Sequence, residues 1–597
     1  MSGAAADLAV AGLGTGAVAA LSGLGVLATY RVTGVLNVAF GAIGMLGAYL
    51  VRALVRDAQL PGYAAGLIIV FCVAPLLGLV LEAAVFGPLS ARAADAARLL
   101  TAGFGVTVLL VGVATAIWGN AARTDAPSLL PGGTLHFGGV DVPTAVPIEL
   151  ALVLLVALGL TWFSRGGPAI RAVIDDRRLA ELAGLPARRL ARIGWVVGTM
   201  LAMLTGVLLA PQLRFDPPTL TLVIFETLGV AVAARLKSAP LAILFAFGTA
   251  IGQAELTGVH LSGAAGSVLD AVRSNLFVVL LLLATWLTPA FAAPAATATS
   301  AASAPARGTP RTHRLPPPYL LLLAFAVFAW NLRAVDLHAA LAIPALALVL
   351  LSFRVLHSAG LLSLGQAGLA GIGALVAGWV SSGWGIPAAA LAGAVIAVLL
   401  ALPVLRQAGL HLAVATLAAA TALSSFLFDQ PLFTPSSVQR PSFAQSDRAF
   451  LYLELVLIVL ILAALTLLDR GQAALRLTAL RDSEIAARTA GIAVDRERLT
   501  VFAAAGAVAA LGGALWAAGD QVFDPTAFEP AQGLIWFAAA AAVGFADSTA
   551  LIVAAIVLVI ADSYVAGASA ILVGVATLVL PRVHRQGVTR RAVGLEL

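Results

Sequence analysis

GPAIRAVIDDRRLAELAGLPARRLARIGW, residues 167–195, decides the fold because its pattern occurs a second time in the chain. Residues 474–502 read ALRLTALRDSEIAARTAGIAVDRERLTVF. The aligned pairs, each 307 positions apart, are Asp175 and Asp482, Ala180 and Ala487, Gly184 and Gly491, and Gly206 and Gly513. Each stretch is a charged loop that leads into an apolar helix. Repetition at this scale predicts two copies of one membrane module in a single chain.

The composition places these modules in a membrane. Hydrophobic residues make up 61% of the 597 residues and charged residues 11%, whereas a soluble domain carries about 25% charged residues. We therefore predict an all-α, polytopic membrane protein whose charges lie in the loops. The single cysteine, Cys72, excludes a disulfide framework. The excess of basic residues does not indicate nucleic-acid binding, because the arginines are spread over loops between apolar segments.

Apolar segments fill most of each half. In the first half they lie at about 8–29, 34–51, 62–87, 99–119, 146–164, 193–211, 219–234, 240–252 and 274–292. In the second half they lie at about 319–332, 338–353, 361–382, 386–405, 410–428, 450–468, 499–519, 531–545, 549–561 and 567–581. Several are shorter than the roughly 20 residues that a full span needs, which predicts some short, broken or re-entrant helices.

The region between the halves reads as a linker. Residues 293–318 are rich in Pro, Ala and Thr, a composition typical of flexible connections. We predict membrane modules at 1–292 and 319–585, with a tail at 586–597.

The arginines orient the chain. If both repeated loops are cytoplasmic, most of the 35 Lys and Arg residues fall on the cytoplasmic side, as the positive-inside rule requires. The linker and the tail then also lie in the cytoplasm. The second half has one extra segment, 319–332, so both copies begin on the same side. The modules are therefore predicted to be parallel and related by a pseudo-twofold axis along the membrane normal.

The two repeated loops are candidate docking elements. Each is predicted to form a short amphipathic helix, and its alanine leaves one face thin enough to enter a partner's groove. A solvated loop that serves only the positive-inside rule is the alternative, but two copies at matched spacing favour docking. The candidate residues are Arg171, Asp175, Ala180, Gly184, Arg481, Asp482, Ala487 and Gly491.

A second repeated motif opens each module with polar residues in apolar surroundings. Asn37 in GVLNVAFG aligns with Ser363 in GLLSLGQAG, where Gln366 follows. Uncharged donors and acceptors within a membrane need partners or a wet cavity. They are predicted either to make interhelical hydrogen bonds or to line a translocation pathway. The pathway candidates are Asn37, Glu226, Ser363, Gln366 and Thr416; Glu226 is included because it lies in the middle of its segment.

These motifs resemble the membrane subunits of branched-chain (hydrophobic) amino acid ABC importers. GVLNVAFGAIGMLGAY and the 167–195 loop are similar to the H-type permease. GLLSLGQAGLAGIGA, LHLAVATLAAA and RDSEIAARTAGI are similar to the M-type permease. The resemblance covers nearly the whole chain, so it implies a fusion of both permeases in a bacterial cell membrane.

The resemblance also implies partners. Two separate ATPase subunits would bind ATP and Mg²⁺ and dock on the cytoplasmic loops, and an extracytoplasmic solute-binding protein would deliver the substrate. The chain contains no Gly-x-x-x-x-Gly-Lys-Ser/Thr sequence, so it is expected to bind no ATP through a P-loop of its own. Neither a metal site nor a catalytic constellation is suggested by the spacing of its histidines and acids. We therefore expect a transport permease and not an enzyme.

Three departures from the family pattern bear on the substrate. Phe40 stands where the H-type motif usually has histidine, Thr434-Pro435-Ser436-Ser437 replaces a Thr-Gly-Gly element, and the glycine pairs of the last cytoplasmic turns are weakened. The resemblance thus leaves branched-chain amino acids, urea, short amides and aromatic acids as substrates. The main alternative function is an ion-coupled secondary transporter, which needs midplane ionisable residues and commonly has inverted repeats.

Overall fold

A computed structural model describes residues 2–593 except 92–95, 120, 122, 124, 128, 130–132, 138–139, 165–171, 174–176, 213–216, 218–219, 222–226, 228, 232–237, 260, 288–316, 381–383, 405–409, 431 and 566. Packing divides the chain into two compact units, residues 1–284 with 565–597, and residues 285–564. The described residues contain ten helices that are long and apolar enough to span a membrane, or eleven if one bent helix pair is a single span. The prediction of a helical, multi-pass membrane protein is confirmed.

The first unit is helical apart from one hairpin. Its helices are α1 (Ser2–Thr33), α2 (Phe40–Arg56), α3 (Gly62–Ile68), α4 (Ala74–Leu81), α5 (Gly87–Ala91), α6 (Ala96–Trp118), α7 (Ala145–Ser164), α8 (Arg177–Leu182), α9 (Ala187–Leu209), α10 (Ala239–Leu256), α11 (Ala264–Ser274) and α12 (Leu276–Leu287). π-helical turns at Ile69–Val73 and Glu82–Phe86 join α3, α4 and α5 into one span. The antiparallel strands β1 (Thr134–Phe137) and β2 (Val140–Pro143) pair Phe137 with Val140, a feature that the sequence did not predict.

Helix α1 forms the centre of the first unit. It packs against α10, α9 and α7, and its buried side chains include Leu21, Leu24 and Leu27. Because α1 is surrounded by helices, its apolar residues occur on all sides, as is typical of a buried membrane helix.

The second unit is built around a long helix. Its helices are α13 (Pro318–Trp330), α14 (Ala334–Ala340), α15 (Ala342–Ser358), α16 (Gln366–Trp379), α17 (Gly385–Ala401), α18 (Leu410–Leu423), α19 (Asp447–Leu468), α20 (Gly471–Asp482), α21 (Glu484–Thr489), α22 (Val494–Asp520), α23 (Pro530–Val543) and α24 (Ser548–Tyr564). Helix α22 packs against α15, α16 and α17. Short turns at Leu402–Val404, Ser424–Phe428 and Pro525–Phe528 complete the unit.

The last helix, α25 (Ala568–Val593), belongs by packing to the first unit although it ends the second half of the sequence. It runs antiparallel to α6, and small residues allow the contact. A Cβ on Gly112 would lie 2.7 Å from the backbone nitrogen of Ile571, and one on Gly574 would lie 2.7 Å from the backbone of Leu109. The compact units thus differ from the module boundaries predicted from the sequence, which stay a prediction. Of the predicted linker at 293–318, residues 293–316 lie outside the described residues.

The aligned glycines form the same helix crossing in each unit. In the first unit, a Cβ on Gly44 would lie 2.9 Å from the carbonyl oxygen of Ala202, and Gly206 faces the backbone of Gly44. In the second unit, Gly513 faces the backbone of Ala370, the residue that aligns with Gly44. The crossings α2–α9 and α16–α22 are therefore backbone-to-backbone contacts, which only small residues permit.

Candidate functional site

The first repeated loop, which we call loop 1, is residues 171–192. Within its described part, helix α8 ends in a glycine cap. Gly184 has φ +82°, the N–H of Leu185 donates to the carbonyl of Ala180 at 2.9 Å, and the N–H of Gly184 donates to that of Glu181 at 3.1 Å. This is the hydrogen-bond pattern of a Schellman cap, which favours glycine. Arg171 and Asp175 lie outside the described residues.

The second repeated loop, loop 2, is residues 478–499, and it carries the same cap on α21. Gly491 has φ +78°. The N–H of Ile492 donates to the carbonyl of Ala487 at 3.0 Å, and that of Gly491 to the carbonyl of Arg488 at 3.1 Å. The two aligned glycines therefore hold one local structure twice. At the start of the loop, Asp482 lies 3.6 Å from Arg481.

The alanines of these loops face the protein. Ala180 is buried with Val173 and Ala187, and Ala487 is fully buried. From the sequence, the alanine face was expected to contact a partner. In the structure this face is buried, and it allows each short helix to lie close to its own module. The outward face instead carries Leu182 and Ile485, each 78% exposed. Neither residue was predicted from the sequence, although exposed apolar residues on a charged helix are a usual sign of a docking surface.

Loop 2 is held by a network of ion pairs. Arg498, whose side chain is almost buried in α22, contacts Glu484 at 2.6 Å. Glu484 also pairs with Arg488 at 3.1 Å, and Arg488 reaches Asp495 at 3.1 Å. The hydrogen bond to Glu484, and then the charge of Asp495, raise the pKa of Arg488. The network fastens α21 to the first turn of α22.

The polar residues that open the second module bind one another's backbone. The N–H of Leu364 donates to the Oγ1 of Thr416 at 3.0 Å, and that of Gly365 donates to the Oγ of Ser363 at 3.2 Å. The Oγ of Ser352 donates to the Oε1 of Gln366 at 3.0 Å. Gln366 is therefore used at least partly between helices, which was the alternative to a pathway role; its Nε2 has no partner among the described residues.

The first module uses different side chains at the same place. Asn37 is buried, and neither its Nδ2 nor its Oδ1 has a partner among the described residues. The Oγ1 of Thr107 donates to the carbonyl of Val38 at 3.5 Å, whereas Thr416 accepts from the N–H of Leu364, the residue aligned with Val38. The sequence pattern did not single out Thr107, because its distance from Thr416 matches neither repeat interval. Glu226 lies outside the described residues.

Phe40 occupies the position that Gln366 holds in the second module. It lies against Gly25, where a Cβ would be 2.6 Å from its ring. In the second module the residue aligned with Gly25 is Leu351. Phe40 thus makes an apolar contact with Gly25 in the first module, whereas Gln366 accepts a hydrogen bond from Ser352 in the second.

We expect Thr416→Val to destabilise the second module. Valine keeps the shape but leaves the buried N–H of Leu364 without an acceptor, which costs about 1–3 kcal/mol. Thermal unfolding in detergent measures the change. Thr421→Val is the matched control, because among the described residues the Oγ1 of Thr421 donates only to the carbonyl of Leu417 in its own helix. Equal shifts for both variants would contradict the role of Thr416.

Comparison with known proteins decides the family. The sequence model of the permease component of the branched-chain amino acid transport system matches residues 8–286 and again 337–581. The chain belongs to this family. Its members are multi-pass membrane permeases of ABC transporters and not enzymes, and the double match means that this permease contains two copies. Both repeated loops and both glycine crossings lie inside the matched ranges.

Relatives distinguish the two copies of the permease. The branched-chain amino acid permease BraD of Pseudomonas aeruginosa is 27% identical over 292 residues, which are 46% of this chain and 92% of BraD. LivH of Escherichia coli is 27% identical over 212 residues, 33% of this chain and 68% of LivH. LivM of Escherichia coli is 38% identical over 117 residues, 19% of this chain and 28% of LivM. The first half matches BraD and LivH and the second half LivM, as expected for a fusion of H-type and M-type permeases.

The described residues contain no group of three or more His, Cys, Asp or Glu side chains that could hold a metal ion. The candidate site consists of the two repeated loops and the two glycine crossings.

Proposed function

We propose that this chain supplies both membrane modules of an ABC importer for branched-chain or other hydrophobic amino acids, or related small solutes. The modules are parallel and related by a pseudo-twofold axis. Two separate ATPase subunits, which hold ATP and Mg²⁺, dock on loops 1 and 2, and an extracytoplasmic solute-binding protein delivers the substrate. The names of the relatives support the substrate class.

One observation carries the proposal: each unit contains the same capped loop helix followed by the same glycine crossing. In each, the capped loop leads directly into the helix that makes the crossing, α9 in the first unit and α22 in the second. A force on the loop is thus transmitted along one rigid helix to the backbone contact with α2 or α16. Rigid-body motion of packed helices is a common way to couple two distant states.

In this mechanism, ATP binding closes the two ATPase subunits and draws both loops with them. Helices α9 and α22 move as levers, and access to the solute alternates between the two faces of the membrane. The polar groups of Asn37, Ser363, Gln366 and Thr416 lie at the start of the helices α2 and α16 or against them, a few residues before the crossings at Gly44 and Ala370. Motion at the crossings would therefore shift the polar residues that we propose to line the pathway.

Reconstitution tests the proposal. The purified chain, candidate ATPase subunits and a candidate solute-binding protein are placed in proteoliposomes, and uptake of labelled leucine is followed. We expect a stable complex with the ATPases and uptake that requires ATP and resists ionophores. Uptake that collapses with the ion gradient while ATP persists, together with no ATPase binding, would show an ion-coupled transporter instead.

Glu454 provides a second test against the ion-coupled alternative. It lies in α19, is fully buried, and neither carboxylate oxygen has a hydrogen-bond partner among the described residues. Ion-coupled transporters use such groups, whereas an ATP-driven permease does not require a titrating group. We expect Glu454→Gln, which keeps the shape, to retain ATP-driven uptake at close to the original rate. Loss of uptake with normal folding would favour ion coupling.

A further inference from the structure

Loops 1 and 2 share their backbone structure but differ in charge. Loop 1 contains six arginines and three acidic residues, whereas loop 2 contains four arginines and four acidic residues. Loop 1 therefore has a net positive charge and loop 2 has none. Two surfaces with the same shape and different charge select partners of different chemistry.

The charges of loop 2 are largely paired within it. Glu484, Arg488, Asp495 and Arg498 form the network described above, and Glu497 lies 3.5 Å from Arg476, which precedes the loop. Asp495 and Glu497 also lie in the first turn of α22, where the positive end of the helix dipole stabilises acids. Loop 2 is thus a neutral element that is preassembled before any partner binds.

Loop 1 cannot form this network. The residues aligned with Glu484, Arg488, Asp495 and Arg498 are Arg177, Glu181, Arg188 and Ala191. Arg188 and Arg189 are exposed in the first turn of α9, where the helix dipole disfavours positive charge. Among the described residues, neither pairs with an acid, and the nearby Arg192 is engaged by the buried Glu82 at 3.5 Å.

The outward apolar residues lie beside these arginines. Leu179 and Leu182 of α8 are 63% and 78% exposed, and the turn at Gly184 brings α8 next to the start of α9. The aligned residues of loop 2 are Ala486 and Thr489, which are smaller or polar. Loop 1 therefore presents two leucines next to unpaired positive charge, a combination that fits an apolar groove with an acidic rim.

We propose that loop 1 docks into an ATPase groove that has an apolar floor and an acidic rim, whereas loop 2 docks as a neutral, preassembled element. The inference rests on the proposed docking of ATPase subunits on both loops. Its consequence is that salt weakens the contact at loop 1 much more than that at loop 2, because exposed charges are screened. The chain itself then determines which ATPase face meets which module.

Arg189→Glu and Arg496→Glu form a matched pair for the test, because the two exposed arginines align at the spacing of 307. The probes are the purified ATPase subunits that support uptake in the reconstitution above. A photo-crosslinking residue at position 182 or 485 reports binding at loop 1 or loop 2 separately. We expect Arg189→Glu to weaken binding at loop 1 by roughly tenfold or more and to reduce its salt dependence, because loop 1 then holds five arginines and four acidic residues. Arg496→Glu leaves the affinity at loop 1 unchanged and changes that at loop 2 by less than about twofold.

The Arg189→Glu substitution is not expected to impair folding. Glutamate at position 189 lies in the first turn of α9, where it is favoured by the helix dipole, so thermal stability is expected to be retained or increased. Arg189→Lys keeps the charge and should keep the affinity. Two results would overturn the inference without affecting the proposed importer function. One is an equal loss of ATPase affinity for Arg189→Glu at loop 1 and Arg496→Glu at loop 2, and the other is binding at loop 1 that is insensitive to salt. Absence of ATPase binding to the unchanged chain would instead remove the proposed function.

Discussion

We expect the double variant Gly184→Arg with Gly491→Arg to abolish ATP-driven uptake while the chain still inserts and folds. Both glycines have φ in the left-handed region, +82° and +78°, and a Cβ at either would meet no atom within 4 Å. A larger residue therefore has room, and its backbone strain costs about 1–2 kcal/mol. The main effect is on the surface: each arginine places a bulky charge at the end of the helix that docks.

Uptake into proteoliposomes and ATPase binding measure this effect, and size-exclusion chromatography checks folding. Gly119→Arg is the matched control. Gly119 has φ +77° and equally open surroundings, but it ends α6 on the side that is predicted to face outward. The control should keep its uptake. Unchanged uptake by the double variant would refute the docking role of both loops.

The repeat and its glycine positions could be predicted from the sequence. Gly184 and Gly491 align because the same left-handed cap is needed twice, and Gly206 and Gly513 align because each meets a backbone that leaves no room for a side chain. Such constraints are local or concern residue size alone, so they appear directly as a conserved interval between two copies in one chain.

The direction in which side chains point could not be predicted from the sequence. The face that Ala180 and Ala487 present depends on which neighbours cover the short helices, and the structure turns both inward. The network around Arg498 was missed because it joins residues that are far apart in sequence and that differ in charge between the copies. The packing of α25 on α6 is a long-range choice between equally apolar helices, which periodicity does not determine.

The crossings of α2 with α9 and of α16 with α22 are expected to be the most sensitive points of the fold. We predict that Gly513→Leu prevents recovery of folded protein, and that Gly206→Leu does the same. At each position the nearest atoms are backbone atoms of the opposite helix, Ala370 and Gly44. Backbone cannot move aside by changing rotamer, so the two helices must separate and lose packing along the whole contact, which costs more than about 3 kcal/mol.

Fluorescence-detected size-exclusion chromatography of detergent extracts measures the amount of folded protein. Gly248→Leu is the control, because Gly248 lies in a long apolar helix of the first unit and a Cβ there would meet no atom within 4 Å. It should give the same yield as the unchanged chain. Gly513→Ala distinguishes a steric effect at the crossing from the loss of glycine's backbone flexibility. Even one methyl group collides with Ala370, so alanine should already lower the thermal midpoint. If alanine raised the midpoint, as it does at an open helical glycine, the two helices would not be in backbone contact, and the lever that joins loop 2 to the crossing would be lost from the mechanism.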